Sequence, residues 1–436
     1  MKRLIHSIFC LLALSGITSW GNAETYLVAG TNVTLTYSVS GDSAEVTITD
    51  CNEDAMGALI IPAMINSQPV TRISDDAFRG CSSLTAVTIS NGVTEIGNSA
   101  FYQCRDLQSI IIPDSVTSIG MFSFGWCEDL SVVTISSRVV SIGYNAFALC
   151  HSLLSIDVDP MNQSYTSIDG VLFNKSKSTL INYPSGRTGP YEIPHGVVTI
   201  ERSAFLQSYH LTEISMPSSL ETIHALAFND CSSLTHVTIP SNVSVIGIAA
   251  FEGCSRLKSI SILGNLDSIG NLAFDRCWRL TNISFEAGAP SHVDSDIFYR
   301  DTPSNLTIYF YEGAVGFSEP TWQGFTAVML SGPAEDLDGD GWGHKLESRL
   351  GTDVRNSNDH LQNWISKGIE GLKLHYGPHS DNVNFAVEYT TDLTDPDSWL
   401  AVDELDFAGD QGEQVATLPD HDGSHVFYRI SASAAQ

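Results

Sequence analysis

Basic residues are scarce in this 436-residue chain. Lys and Arg total 21 against 50 Asp and Glu, a formal charge of −29. A field of that sign repels the nucleic-acid backbone and anionic lipid, and argues against both as partners. Long apolar runs are missing after the N-terminus, so no membrane span is expected. There is no CxxC pair to suggest a thiolate metal site. There is no G-x-S-x-G elbow, no H-E-x-x-H and no phosphate-cradling glycine loop. The chain is therefore read as non-enzymatic.

What is present begins with a leader. Met1-Lys2-Arg3 is basic, Leu4 to Trp20 is mainly apolar, and Gly21-Asn22-Ala23 offers the small residues a signal peptidase reads. Residues 1–23 are expected to be a signal peptide cleaved after Ala23. The chain ends Ser433-Ala434-Ala435-Gln436, without the look of an anchor tail. A secreted or cell-surface location follows as an expectation.

The strongest signal is a 23-residue period. Phe78, Phe101, Phe124 and Phe147 keep it, and it returns at Phe205, Phe228, Phe251 and Phe274, with a slipped copy at Phe298. A cysteine follows most of these by three positions and a leucine by six. A fixed period of this length marks a solenoid, in which each repeat packs only on its neighbours. From Ile73 the unit reads Ile-x-x-x-Ala-Phe-x-x-Cys-x-x-Leu-x-x-Val-x-Ile-x-x-x-Val-x-x. Leu84-x-x-Val87-x-Ile89 alternates as a strand, and Val93-x-x-Ile96 as a shorter extended piece. Pro113, Pro217 and Pro240 stop the main strand. The Ala-Phe-x-x-Cys segment has room for one helical or 3₁₀ turn. Phe, Cys, Leu, Val and Ile then face inward.

Nine cysteines, less Cys10 in the leader, leave eight. Seven repeat in register and only Cys51 is out of step. Regular spacing favours a ladder of small buried side chains over disulfides, because stacked side chains point the same way.

The fold class is thus a β-rich solenoid of parallel strands, with a small β-rich segment after it. Residues 24–72 read as a cap and first degenerate repeat, with a hairpin around Gly41-Asp42. The solenoid covers 73–330. Residues 157–200 interrupt it, and Ile168-Asp169-Gly170-Val171-Leu172-Phe173 reads there as a hairpin. Residues 331–360 form a linker. Residues 361–436 form the terminal segment, where Val383 to Tyr389 and Val426 to Ile430 alternate as strands.

The stretches "AFRGCSSLTAVTISNGVTEIGNSAF", "AFNDCSSLTHVTIPSNVSVIGIAAFEGC" and "SIDGVLFNKSKSTLINYP" resemble the BspA-like leucine-rich repeats of bacterial surface and secreted proteins. The resemblance covers roughly residues 45–300. It implies a right-handed leucine-rich-repeat solenoid and a role in adhesion or protein binding. The matching residues are core residues, so they do not identify a ligand. The "VEYTTDLTDPDSWLAV" and "HVFYRIS" segments more loosely resemble small C-terminal β-domains of secreted bacterial proteins.

The one strong chemical signal lies in the linker. Asp336, Asp338, Asp340 and Glu347 hold places one, three, five and twelve of a loop, with Gly341 at the sixth. This is the EF-hand calcium spacing. Three Asp, a bidentate Glu347, the Trp342 carbonyl and a water would supply the oxygens that Ca2+ needs. His344 at the ninth place is a poor calcium ligand. Gly332-Pro333 leaves little room for an entering helix and Gly351 stops a short exit helix. The expected role is to stiffen the joint. His421 and His425 around Asp422 could bind a metal, but read better as a solvated turn.

Two surfaces could bind. The outward strand positions, such as Ala86 and Thr88, Ser109 and Ile111, Glu213 and Ser215, His236 and Thr238, Ser259 and Ser261, and Asn282 and Ser284, are small and mostly neutral. They suit a protein. Tyr102, Trp126, Tyr144, Tyr209 and Trp278 lie off the core positions and could stack on sugar rings or fill gaps between turns. An extracellular protein is the leading partner and a glycan the second, with a structural matrix role as a further reading.

Overall fold

A computed structural model of the chain describes residues 23–330, apart from 42–43, 295, 299–304 and 312–313, and backbone strands within 364–434. The array is a parallel β-solenoid of about 12 turns. No helix occurs among the described residues, so none is long and apolar enough to cross a membrane.

Each coil has three bonded sides, and the sequence pattern accounts for them. The first is the longer strand. In the N-terminal half, Met56–Ile61, Ser83–Ile89, Ser109–Ile111, Val132–Ile135 and Ser155–Val158 pair in parallel. In the C-terminal half, His236–Ile239, Ser259–Ile262, Asn282–Phe285, Thr307–Tyr311 and Phe325–Leu330 do the same. Alternation puts Val87, Ile89, Val133 and Ile135 inside, where they are buried. The second side is a ladder of two-residue strands, including Glu95–Ile96, Ser118–Ile119 and Ser141–Ile142.

The third side holds the phenylalanines, and it differs from the expected helical or 3₁₀ turn. Two residues per coil, two before and two after the Phe, take left-handed backbone angles: Ser99 (φ 52°) and Gln103 (φ 64°), Phe122 (φ 51°) and Trp126 (φ 60°). Such angles are disfavoured for residues with a Cβ. Here bonds between coils offset the cost. The Phe78 N–H donates to Ala100 O at 2.7 Å, Phe101 to Ser123 O at 2.7 Å and Phe124 to Ala146 O at 2.8 Å. The corner is therefore a third ladder, extended enough to pair with the next coil.

Close approach at the start of this corner demands glycine. A Cβ on Gly120 would lie 2.5 Å from the Asn98 nitrogen, and one on Gly143 2.4 Å from that of Met121. Inside, the phenylalanine rings stack. Centroids are 4.8 Å apart for Phe78–Phe101, 5.5 Å for Phe101–Phe124 and 5.6 Å for Phe124–Phe147. The stack resumes with Phe205–Phe228 at 4.7 Å and Phe228–Phe251 at 5.0 Å.

All eight cysteines from Cys51 to Cys277 are buried free thiols. The ladder does more than fill space. Cys104 Sγ–H donates to Phe78 O at 3.1 Å, Cys127 to Phe101 O at 3.2 Å and Cys150 to Phe124 O at 3.1 Å. Each of these thiols thus ties its coil to the one before. Burial pushes the Cys150 thiol up to about 12, which keeps it protonated as a donor.

The cap is a three-stranded antiparallel unit of Glu24–Leu27, Thr34–Val39 and Val46–Cys51, and the last of these joins Gln68–Ile73 in parallel. In the interruption, Tyr165–Ile168 and Val171–Asn174 pair antiparallel around Asp169 and Gly170, both left-handed. Leu172 packs into the N-terminal core, while Val171 and Phe173 pack into the C-terminal one. Tyr183 then takes the phenylalanine's place, with its N–H on Ala204 O at 2.8 Å and its ring stacked on Phe205 at 4.9 Å. In the terminal segment Val383–Thr390 pairs antiparallel with Phe427–Ala434.

Candidate functional site

The longer-strand side of the N-terminal half presents two outward rows. Backbone register aligns Ala58, Ala86, Ser109, Val132 and Ser155 in one, and Ile60, Thr88 and Ile111 in the other. Thr134 and Asp157 are paired neighbours on the last two strands. All are exposed or half-buried, and Ile60 and Ile111 are 63% and 61% exposed. Nothing on these rows is charged before Asp157, on a chain of net charge −29. The charges stand off the platform, as in the ion pairs Arg72–Glu95 at 2.8 Å, Arg79–Asp76 at 2.8 Å and Arg105–Glu128 at 3.6 Å.

Sequence spacing found Ala86, Thr88, Ser109 and Ile111 but not Ile60. Paired positions at the cap stand 27 to 28 residues apart, as Met56 on Ser83 and Ile60 on Thr88, so the 23-residue count fails there. The C-terminal half departs from the expected flat platform. Glu213 and Ser215 are exposed, His236, Thr238, Ser259 and Ser261 are half-buried, and Asn282 and Ser284 are buried. Beside them Tyr309, Tyr311 and Leu330 form a small apolar cluster separate from the solenoid core.

The aromatic edge is largely spoken for within the fold. The Arg79 guanidinium lies over Tyr102 at 4.8 Å, Tyr102 leans on Trp126 at 5.8 Å, and Arg105 lies over Trp126 at 5.9 Å. Tyr209 packs on His151 at 5.4 Å, and burial pushes its hydroxyl up to about 12. Ring faces that a sugar would need are covered by neighbouring coils. Tyr144 and Trp278 remain exposed.

In the C-terminal half the same corner is acidic. Arg276 reaches Glu252 at 2.8 Å and Asp230 at 3.6 Å. Burial raises both carboxylates above their ordinary values, and Arg276 only partly opposes it. Among the described residues no group of three or more His, Cys, Asp or Glu is arranged to hold a metal. The proposed calcium residues Asp336, Asp338, Asp340, Trp342 and Glu347 lie outside the described residues, as do His421, Asp422 and His425.

Coils with one long strand, one short strand and a bonded corner, stacked on rows of Leu, Ile and Phe, define a leucine-rich-repeat solenoid. The family described as BspA type leucine rich repeat region matches residues 61–179 and 188–304 in six copies, and the chain belongs to it. No curated protein matches the chain. Among solved structures, the pneumococcal vaccine antigen PcpA is similar at 22% identity over 67% of this chain and 94% of its own, with a TM-score of 0.48. A leucine-rich repeat protein from Eubacterium ventriosum is similar at 20% identity over 73% and 99%, with a TM-score of 0.41. A leucine rich cell surface protein from Faecalibacterium prausnitzii is similar at 25% identity over 62% and 97%, with a TM-score of 0.36.

Proposed function

We propose that this chain is an exported, non-enzymatic repeat protein that binds an extracellular protein over the longer-strand side of its N-terminal half. The observation that carries the reading is the uncharged platform around Ile60, Thr88, Ile111 and Val132 on so acidic a chain. An exposed Ile111 on the central strand, with Ile60 on the edge strand next to the cap, suits an apolar contact with charges kept to the rim. The leader at residues 1–23 supports export. A glycan is the second reading, and of the five aromatic edge residues only Tyr144 and Trp278 still offer open rings for it.

The proposal includes Ca2+ at Asp336, Asp338, Asp340, Glu347 and the Trp342 carbonyl, supported by the spacing of those residues and acting to stiffen the joint. Immobilised chain can be presented in parallel with panels of extracellular proteins and of glycans. Specific retention of a protein, lost in the Ile60→Lys/Ile111→Lys double variant with an unchanged thermal midpoint, is the expected result. Retention confined to glycans, or protein binding untouched by the double substitution, contradicts it.

A further inference from the structure

Cys51 and Cys81 stand apart from the rest of the thiol ladder. Each of the six thiols after them has a phenylalanine carbonyl of its own, from Phe78 O for Cys104 to Phe251 O for Cys277, at 3.1 to 3.2 Å. Those carbonyls lie one coil apart, so successive sulfurs are held separate. The cap provides no phenylalanine carbonyl below Cys81. Cys81 Sγ instead approaches Asn52 O at 3.7 Å, and Cys51 Sγ approaches the same oxygen at 3.6 Å. Two thiols thus converge on one acceptor, with the longest contacts to a backbone oxygen at each cysteine's nearest carbonyl. The two thiols are close enough to perturb each other's ionisation. Cys51 is 5% exposed, whereas Cys81 and the six others are at 0%.

We propose that Cys51 and Cys81 are an oxidisable pair that closes as a disulfide between the N-terminal cap and the first phenylalanine coil, while the six remaining thiols stay reduced. The oxidant is a small or protein-borne disulfide. Cys51, the reachable thiol, attacks one sulfur of R–S–S–R as its thiolate and forms a mixed disulfide, releasing R–S⁻. Cys81 then attacks the Cys51 sulfur and releases the second R–S⁻. The two thiol protons go to the leaving thiolates, so the protein loses two hydrogens and the oxidant becomes two R–SH. Access sets the order, because Cys51 is the thiol with solvent exposure; ionisation opposes it, since the bond between the thiols raises Cys51 and lowers Cys81.

The closed bond would join residues 30 apart in sequence. Cys51 ends the strand Val46–Cys51, which links the cap hairpin to Gln68–Ile73. A bridge there would limit fraying of the unit that shields the end of the core. The inference rests on the export reading only for where the oxidant is met.

The test uses the chain without residues 1–23, which carry Cys10, purified reduced and then incubated folded with oxidised glutathione. Thiol titration in denaturant should fall from eight to six. A non-reducing digest should contain one crosslinked pair, carrying Cys51 and Cys81. The thermal midpoint should rise on oxidation, with no such rise in Cys51→Ser, while Cys127→Ser should still lose two thiols. Eight thiols after oxidation, a persistent glutathione adduct on Cys51, or a bridge between other cysteines would overturn the proposal. Closure in vitro, with both thiols reduced in chain recovered from its source, would support the pair and count against export.

Discussion

Phe101 lies between Phe78 and Phe124 with no solvent exposure, and its backbone is bonded to the next coil. Phe101→Ala should destabilise the chain by about 3–5 kcal/mol, the range for a buried aromatic whose cavity cannot collapse. The urea midpoint checks it, and an unchanged midpoint would place this ring outside the core. The 23-residue spacing makes the Phe, Cys and Leu rows legible, because an inward position repeats in every coil. It does not reveal that the six thiols from Cys104 to Cys277 each donate to the preceding phenylalanine carbonyl, since burial and bonding leave the same periodic trace. Asp230 behaves differently. Burial raises its carboxyl in the folded state, so folding is free of this cost below the unfolded value near 3.8. The cost sets in as pH rises through the folded value. Asp230→Asn should therefore have a higher thermal midpoint than the parent at pH 7, and the gain should vanish on acidification below about pH 4. A gain that grows towards low pH would contradict the assignment.

The interruption depends on one buried side chain. Asn162 Nδ2 donates to Ser136 O at 2.8 Å and Val139 O at 2.9 Å, and its Oδ1 accepts from the Ser164 and Tyr165 N–H groups at 2.8 Å each. It fastens the hairpin Tyr165–Asn174 to the coil before it. Asn162→Ala should cost roughly 1–3 kcal/mol for each buried partner left unbonded. Hydrogen exchange should quicken first around Ser164 and Tyr165; unaltered exchange there would refute the role. Strands and the Asp169–Gly170 turn were legible because alternation and turn chemistry are local. The left-handed corners were not. Phe122, Trp126, Leu149, Leu226 and Leu272 carry none of the glycine or asparagine signal such angles usually leave. Phe122, Trp126, Leu226 and Leu272 donate their N–H groups to the next coil, and those partners lie more than 20 residues away. The glycine row at 97, 120, 143, 247 and 270 went unread in the sequence, because its cause is backbone contact across coils.

Stacked repeats share stability with neighbours only, so damage in one coil should stay local and the molecule should act as a rigid strip. The neutral platform could be read in part from Ala86 to Ile111. The covering of Tyr102 and Trp126 by arginines one coil away shifts weight from the aromatic edge to the strands. The proposed calcium loop bears on the joint. Proteolysis within residues 331–360 should slow on adding calcium at about 10⁻⁴ to 10⁻³ M, and Glu347→Gln should lose most of that protection. Equal cleavage with calcium and with chelator would leave only an acidic turn. The central claim, that the N-terminal strand side is the binding surface, is tested most directly by hydrogen exchange on the chain with and without a retained extracellular protein. The account predicts added protection in 56–61, 83–89, 109–111 and 132–135. Protection confined to the corners at 99–105 and 122–128, with those strands unchanged, would contradict it.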